Sequence, residues 1–393
     1  MPLDHPSSAQ DPWFREEHTM LRDQVRRFVN EEVKPHGKKW EEDGMIPRDV
    51  LSKMGDLGMF GIRYASEYGG SEMDTVATAV LAEELGKSTF GGFAATVLVH
   101  TDMASPHLVN SGTPEQLKKY LPDIIAGKKI TAVAVTEPDA GSDVAGIKAT
   151  AKRDGDDYIL NGTKFFITNG IHADIYFAAA KTDTAAKGSR GISMFIIEKG
   201  MPGFTVGRAL KKQGWLSSDT AELIFDNCRV PAANMLGEEN KGFYAVMSNF
   251  QNERMVLGAQ AMGEAQAAID MTIVYVRERK AFGATLWDKQ TIRQRLSMLA
   301  ARVEAARQLV YKTAWMDAQG RDCIREVSMV KALCGELVNE VMYTCQQFHG
   351  GFGYIQESDI ERMVRDARIQ SIGGGATEVM LEEVAKRMPP TNR

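Results

Sequence analysis

The sequence predicts an α+β protein in which an antiparallel β-domain is set between two helical blocks. Three observations predict it. From residue 12 to about residue 127, apolar residues recur at three- and four-residue spacing, as in EEHTMLRDQVRRFVNEEVKP and DTVATAVLAEELGK, the period of helices that bury one face. From about 128 to 235 the apolar runs shorten and fill with Val, Ile, Phe and Tyr, the composition of strands. From about 241 to 388 long helical patterns return. The expected domains are therefore an N-terminal helical domain over 1–127, a middle β-domain over 128–240 and a C-terminal helical domain over 241–393.

In chain order, the first block has helix stops at Pro35, Gly86 and Gly127, where a missing N–H or a missing side chain breaks the helix. The middle runs ITAVAV, YILNGTKFFIT, IYFAAAKT, ISMFIIEK and AELIFDNCRV alternate with Gly, Asp and Asn turns, a pattern of antiparallel strands in a barrel or sandwich. The last block is broken mainly at QFHGGFGYI and SIGGGAT. The first ten residues and the final PPTNR read as disordered ends.

Composition narrows the class. With 393 residues, 44% hydrophobic and 25% charged, the chain has ample material for a globular core. A net charge of −5 and no run of Lys or Arg argue against nucleic acid. The longest apolar runs are too short to span a bilayer, so no membrane is expected. The first twenty residues have neither an apolar secretion segment nor the Arg-rich, acid-poor pattern of a transit peptide, so a cytoplasmic protein is expected, or one of the mitochondrial matrix if the source is eukaryotic. Four cysteines form no CxxC; Cys323, Cys334 and Cys345 are spaced by eleven, about three helical turns, and read as reduced core residues on one face. Seven histidines show no ligand spacing, and no metal is expected.

Two stretches carry chemistry. AVTEPDAGSD (Ala134 to Asp143) leaves a strand-like run through Pro138 and Gly141, with the hydroxyls of Thr136 and Ser142 at hand. Such a string builds little core, but it lets backbone N–H groups converge on an anion. Alone it would read first as an ordinary strand-to-loop turn. KFFITNG (Lys164 to Gly170) follows closely. There is no GxGxxG opening a βαβ unit, no GxxxxGK[ST] and no GxSxG, so a dinucleotide would have to be held by another route.

With GWLSSDTAELIFDNCRVP (Gly214 to Pro231), RERKAFG (Arg277 to Gly283), Gln290 and QQFHGGFGY (Gln346 to Tyr354), these motifs closely resemble the acyl-CoA dehydrogenases, in order and over nearly the whole chain. The resemblance implies a helical domain, a β-barrel and a C-terminal four-helix bundle, and FAD as cofactor. In the family, the loop matching Val135, Thr136, Gly141 and Ser142 lies along the flavin, with Ser142 also touching CoA. Phe166, Ile167 and Thr168 match the segment against the flavin ring, where an aromatic stacks and a hydroxyl near N5 can hydrogen-bond. Many relatives have Trp in place of Phe166. Arg279, Phe282 and Gln290 match residues that reach the FAD of a neighbouring subunit, as does the turn Gln347, Phe348, His349, Gly350, Gly351. Arg suits a pyrophosphate through its paired donors. RERKAF by itself would read as a solvated helix face, and the Gly-rich turn as a helix breaker. The implied assembly is a homotetramer, a dimer of dimers, and the implied electron acceptor is electron-transfer flavoprotein.

The chemistry so implied is α,β-desaturation of an acyl thioester by a carboxylate base. Many relatives carry that base as a Glu in a C-terminal YEGT. Here the matching residues are Ile372, Gly373, Gly374, Gly375, Ala376 and Thr377: Gly374 cannot take a proton, and Ala376 lacks a hydroxyl. Ala376, Thr377 and Glu378 match the cofactor side of that segment. Either catalysis is lost, leaving a silent scaffold subunit, or the carboxylate has moved. The long-chain and isovaleryl-type subset carries it on an earlier helix, matched here by NFQNERMVLGA, which makes Glu253 the expected base and Glu378 the second candidate. Arg254 and Gln251 become substrate contacts, with Gly374 and Gly375 lining the acyl pocket. Three glycines without side chains suggest space for a medium-to-long or methyl-branched acyl chain. A flavin oxidase or monooxygenase on the same scaffold is the other enzymatic expectation.

Overall fold

The computed structural model describes residues 11–388; the two ends expected to be disordered lie outside them. Helix α1 (Glu16–Phe28) opens the chain and runs through a π-helical turn, Val29–Val33, directly into α2 (Lys34–Asp43). Pro35 therefore does not stop the helix. It sits in the first turn of α2, where its missing N–H costs nothing. Next come α3 (Arg48–Asp56), α4 (Thr75–Gly86), α5 (Gly91–Leu98), α6 (Ser105–Ser111) and α7 (Pro114–Ile125). Gly86 ends α4, and Gly127 lies just past α7 with φ +67°.

The middle strands are β1 (Thr131–Ala134), β2 (Thr150–Asp154), β3 (Asp157–Thr168), β4 (Ile175–Lys181), β5 (Ile192–Glu198), β6 (Phe204–Ala209), β7 (Thr220–Pro231) and β8 (Met235–Leu236). They form one sheet in the order β6-β7-β3-β2-β4-β5-β8, with β1 added beside β4. Most ladders are antiparallel as expected, but β1 runs parallel to β4, and β2 meets β4 in parallel at Thr150–Lys181. The long β3–β7 ladder slips between Lys164 and Ile167, a bulge that turns the residues between them out of the regular alternation.

The C-terminal block consists of α8 (Gly242–Glu278), a short hairpin β9 (Lys280–Ala281) and β10 (Ala284–Thr285), α9 (Gln290–Ala318), α10 (Ile324–His349), α11 (Asp359–Ala367) and α12 (Thr377–Ala385). All four cysteines are buried and free, with Cys334 and Cys345 inside α10 and Cys323 at its N-cap. Helices α4 and α8 touch backbone to backbone. A methyl on Gly263 would lie 2.0 Å from the Glu83 carbonyl oxygen, and one on Gly86 2.3 Å from that of Gln260. No helix among the described residues is long and apolar enough to cross a membrane, and no group of three His, Cys, Asp or Glu there could hold a metal ion.

One buried rod positions the site. Helix α5 runs without a break into a π-helical turn, Val99–Ala104, and every residue from Gly91 to Ala104 is buried. His100 ties the rod to the sheet, one ring nitrogen 3.1 Å from Thr131 Oγ1 and the other 3.0 Å from the Ile124 carbonyl.

Candidate active site

Three segments are registered along this rod. At its start, Gly91 and Trp215 both donate backbone N–H groups to the buried Asp366 carboxylate, at 3.0 and 2.6 Å. A methyl on Gly92 would lie 2.6 Å from Ser217 Oγ. Further along, Asn169 Nδ2 donates to the Thr96 carbonyl at 3.0 Å and to that of Thr131 at 3.3 Å. At its far end, the Met103 carbonyl accepts from Asn249 Nδ2 at 2.7 Å, and that of Asp102 from Asn252 Nδ2, also at 2.7 Å. At ~1.5 Å rise per residue, Gly92 and Met103 lie roughly 16 Å apart. The rod thus sets the spacing between the sheet loops and the middle of α8.

The first wall comes from the sheet. Fully buried Lys164 donates to the Val135 carbonyl (3.0 Å) and to Glu137 Oε1 (2.8 Å). The Glu137 carboxylate also accepts the N–H groups of Lys148 (2.5 Å) and Ala149 (3.0 Å). Phe165 N–H donates to the Thr136 carbonyl at 2.9 Å. Burial lowers the Lys164 pKa, opposed by Glu137. So braced, the loop leaves Gly141 and Ser142 exposed, with none of the described residues within 4 Å of where a Gly141 side chain would begin, while Val135 is buried and Thr136 half-buried. Phe166 sits in the bulge at φ +59° and is 63% exposed, edge-on to Phe165 with centroids 4.6 Å apart. A bulky residue held at positive φ with its ring in the open is a strained arrangement, of order 1–3 kcal/mol, and such strain concentrates at ligand sites. Ile167 is buried behind it and Thr168 half-buried.

The second wall is α8. Glu253 is only 7% exposed, and Oε1 accepts from Asn249 Nδ2 at 3.2 Å. Burial pushes its pKa up to about 8 against small opposing effects from Asn249 and Arg254. Arg254 is buried with no partner at Nε among the described residues, its guanidinium 5.6 Å from the Phe250 ring centroid, and burial lowers its pKa. Gln251 lines a polar cavity of about 260 Å³ with Arg63, Asn110, Asn249 and Asn252.

The turn before α12 faces these residues. Gly374 and Gly375 have φ +64° and +108°. A side chain begun at Gly375 would lie 3.5 Å from Arg254 Nε, and one begun at Gly374 would lie 2.3 Å from Leu257 Cδ1. The space vacated at Gly374 is therefore not empty as expected. Leu257, one helical turn beyond Glu253, fills it, and the backbone there sits in a region that disfavours any side chain. Gly373 lies against Ile369. Thr377 Oγ1 donates to Glu336 (2.7 Å), Ala376 is the N-cap of α12, and Glu378 is exposed in its first turn.

The remaining predicted residues lie elsewhere. Arg279 is exposed just past α8, Phe282 is 98% exposed at φ +53° in the β9–β10 hairpin, and Gln290 is exposed at the start of α9. Gln347, Gly350 and Gly351 are exposed and Phe348 half-buried, but His349 is buried. Its ring lies 4.3 Å from that of Tyr275, and Nδ1 is 2.9 Å from the Cys345 carbonyl. Tyr275 OH donates to the His349 carbonyl at 3.2 Å, which brings this turn beside the end of α8. From Glu253 to Arg279 the chain advances 26 residues, ~39 Å at helical rise. Within one chain, this second group and Glu253 do not share a cleft.

Three residues of the two walls were not singled out in the sequence: Lys164 and Glu137, which brace the first, and Asn249, which orients Glu253. Asn249 stands four residues before Glu253, the spacing of neighbours on one helix face, and was the readable signal. The Lys164–Glu137 pair joins positions 27 apart and left none.

The sequence matches three family models: "Acyl-CoA dehydrogenase, N-terminal domain" over residues 15–128, "middle domain" over 132–228 and "C-terminal domain" over 240–389. It is 42% identical over 378 residues to the mitochondrial long-chain specific acyl-CoA dehydrogenase of Mus musculus, covering 95% of this chain and 87% of that one. To the mitochondrial isovaleryl-CoA dehydrogenase of Pongo abelii it is 39% identical over 367 residues, covering 93% and 86%. The fold superposes on the crystal structure of an acyl-CoA dehydrogenase from Geobacillus kaustophilus with a TM-score of 0.92 at 41% identity, covering 96% of this chain and 99% of that one.

Proposed function

The chain belongs to the acyl-CoA dehydrogenase family and is an FAD-dependent oxidoreductase of acyl-CoA thioesters, and from this premise we propose that Glu253 is its catalytic base. The observation that carries the proposal is the buried Glu253 carboxyl, oriented by Asn249, on the α8 face that meets the Gly374 turn. A silent scaffold subunit has no use for a carboxyl buried at such cost.

The residues present fit FAD. Phe166 offers an exposed ring for stacking, and Gly141 leaves its loop open to close approach. Val135, Thr136, Ser142, Ile167 and Thr168 complete the first wall, and Ala376, Thr377 and Glu378 open α12, just past the Gly374 turn that meets α8. When bound, FAD supplies the acceptor for the hydride leaving the substrate β-carbon. In its ionised form Glu253 takes the α-proton, its burial matching its basicity to that weakly acidic C–H. The Gly374 turn supplies N–H donors for the thioester oxygen as charge gathers there. Arg254, Gln251 and Ser142 hold the CoA portion.

Arg279, Phe282, Gln290 and the 347–351 turn serve the FAD of a neighbouring subunit in a homotetramer. The ~39 Å along α8 between Glu253 and Arg279, and the open Phe282 ring, support that reading. Electron-transfer flavoprotein is the acceptor of the reducing equivalents. The substrate is a medium- to long-chain or methyl-branched acyl-CoA, a range that includes the acyl groups named for the mouse and orangutan relatives. Leu257 bounds its pocket beside Gly374.

Anaerobic mixing of the FAD-loaded protein with straight and branched acyl-CoAs of increasing length tests this. Bleaching of the visible flavin band is expected with the longer or branched members. Bleaching by none of them, or rapid turnover with O₂ alone, refutes the dehydrogenase reading.

A further inference from the structure

We infer that Lys331 is a positioning residue for the reaction: its ammonium holds two carbonyls of the 370–375 turn inward, so that the turn's own N–H groups are presented outward as donors to the substrate. Lys331 lies in α10, fully buried, and Nζ donates to the Gln370 carbonyl (2.6 Å) and the Gly375 carbonyl (3.0 Å). It therefore clamps both ends of a turn that contains three consecutive glycines. In a trans peptide, C=O and N–H point in opposite directions. With the Gly375 carbonyl directed at Lys331, the Ala376 N–H points away from it. The N–H groups of Gly373 and Ile372 are satisfied by the Ile369 carbonyl, whereas those of Gly374, Gly375 and Ala376 have no acceptor among the described residues. The outer side is open, since Gly374 is exposed and Gly375 half-buried. Arg254, next to Glu253, approaches the same turn.

Two glycines at positive φ would let this turn relax into other shapes, and a buried cation that donates to two carbonyls removes that freedom. The groups acting electrostatically on Lys331 are Arg254, Cys334 and Glu336, while burial draws its pKa down to about 8. It stays mostly protonated at neutral pH, with its donors in place. On the other side, Gln370 is anchored by Nε2 to buried Glu264 (3.4 Å), which also accepts from Gln260 (2.7 Å). The clamp thus rests on a fixed support.

The inference rests on the dehydrogenase reading. Removing one preorganised donor from a developing oxyanion typically slows a reaction ~10²–10³-fold, so Lys331→Met should retain FAD, bind acyl-CoA within about threefold of the wild type and reduce its flavin at least tenfold more slowly. Lys331→Arg, which keeps the donors, should recover part of that loss. Lys331→Met reduced at the wild-type rate, or impaired only in acyl-CoA affinity, overturns the role. Hydrogen exchange on the wild-type holoenzyme decides the matter even if the variants do not fold. Enoyl-CoA product should slow exchange at 374–376, and unchanged exchange there overturns the role. A wild-type protein that no acyl-CoA reduces sinks the dehydrogenase reading along with it, whereas wild-type reduction with an unaffected Lys331→Met sinks this inference alone.

Discussion

Replacing Glu253 with Gln should stabilise the protein, and the gain should grow with pH. In the folded chain burial holds the carboxyl protonated up to about 8, whereas in the unfolded chain it ionises near the ordinary value of 4.5. Between those values the unfolded state binds fewer protons than the folded one, so stability falls as pH rises through that window. At ~1.4 kcal/mol per pH unit the gap sets a ceiling of about 5 kcal/mol. Relaxation and water entry reduce this, and about 1–3 kcal/mol is expected. Gln has no proton to lose, and its Oε1 can keep the bond from Asn249 Nδ2. Thermal unfolding at pH 5 and pH 8, with FAD at a fixed saturating concentration, should therefore show a small difference between wild type and Glu253→Gln at pH 5. At pH 8 the variant should melt several degrees higher. A gap that is the same at both pH values, or larger at pH 5, would refute the buried, protonated Glu253.

Other residues give independent tests. Leu257→Ala removes the side chain that fills the Gly374 space; it should cost ~2–5 kcal/mol of stability and shift kcat/KM toward bulkier acyl-CoAs by ~1–3 kcal/mol per methylene, and an unchanged substrate ranking would contradict that placement. Phe166→Gly relieves a residue at φ +59°; the apoprotein should unfold no more easily than wild type, while FAD titration should show weakened binding. His107 is buried with neither ring nitrogen partnered among the described residues, and burial draws its pKa down to about 4. The unfolded state then binds the extra proton between about pH 6.5 and 4, so stability is lost as pH falls through that range, and His107→Leu should flatten that limb of an acid unfolding profile.

Much of the fold was legible because burial writes its period into the chain. The helical spacing of DTVATAVLAEELGK becomes α4, and the Val- and Ile-rich middle becomes the sheet. Pro35 misled because its effect depends on its place in a helix: in a first turn it is harmless, and the preceding π-turn keeps the chain continuous. The parallel β1–β4 pairing was hidden because strand direction is a property of connections, which short apolar runs do not encode. At the site, Phe166, Ser142 and Glu253 stood out by motif. What the sequence concealed was how they are held. Lys164 meets Glu137, Lys331 meets Gly375, and Leu257 enters the space at Gly374, all through contacts between segments far apart in the chain. The three glycines suggested emptiness because a missing side chain is visible in a sequence, whereas the neighbour that replaces it is not.

Rapid anaerobic mixing of an acyl-CoA that bleaches the wild-type flavin with FAD-loaded Glu253→Gln tests the central claim most directly. Loss of a general base typically costs ~10²–10⁴ in rate. The variant should bind FAD and acyl-CoA, yet lose its visible absorbance at least about a hundredfold more slowly than wild type. Bleaching at the wild-type rate would contradict the assignment of Glu253 and return the search for the base to Glu378.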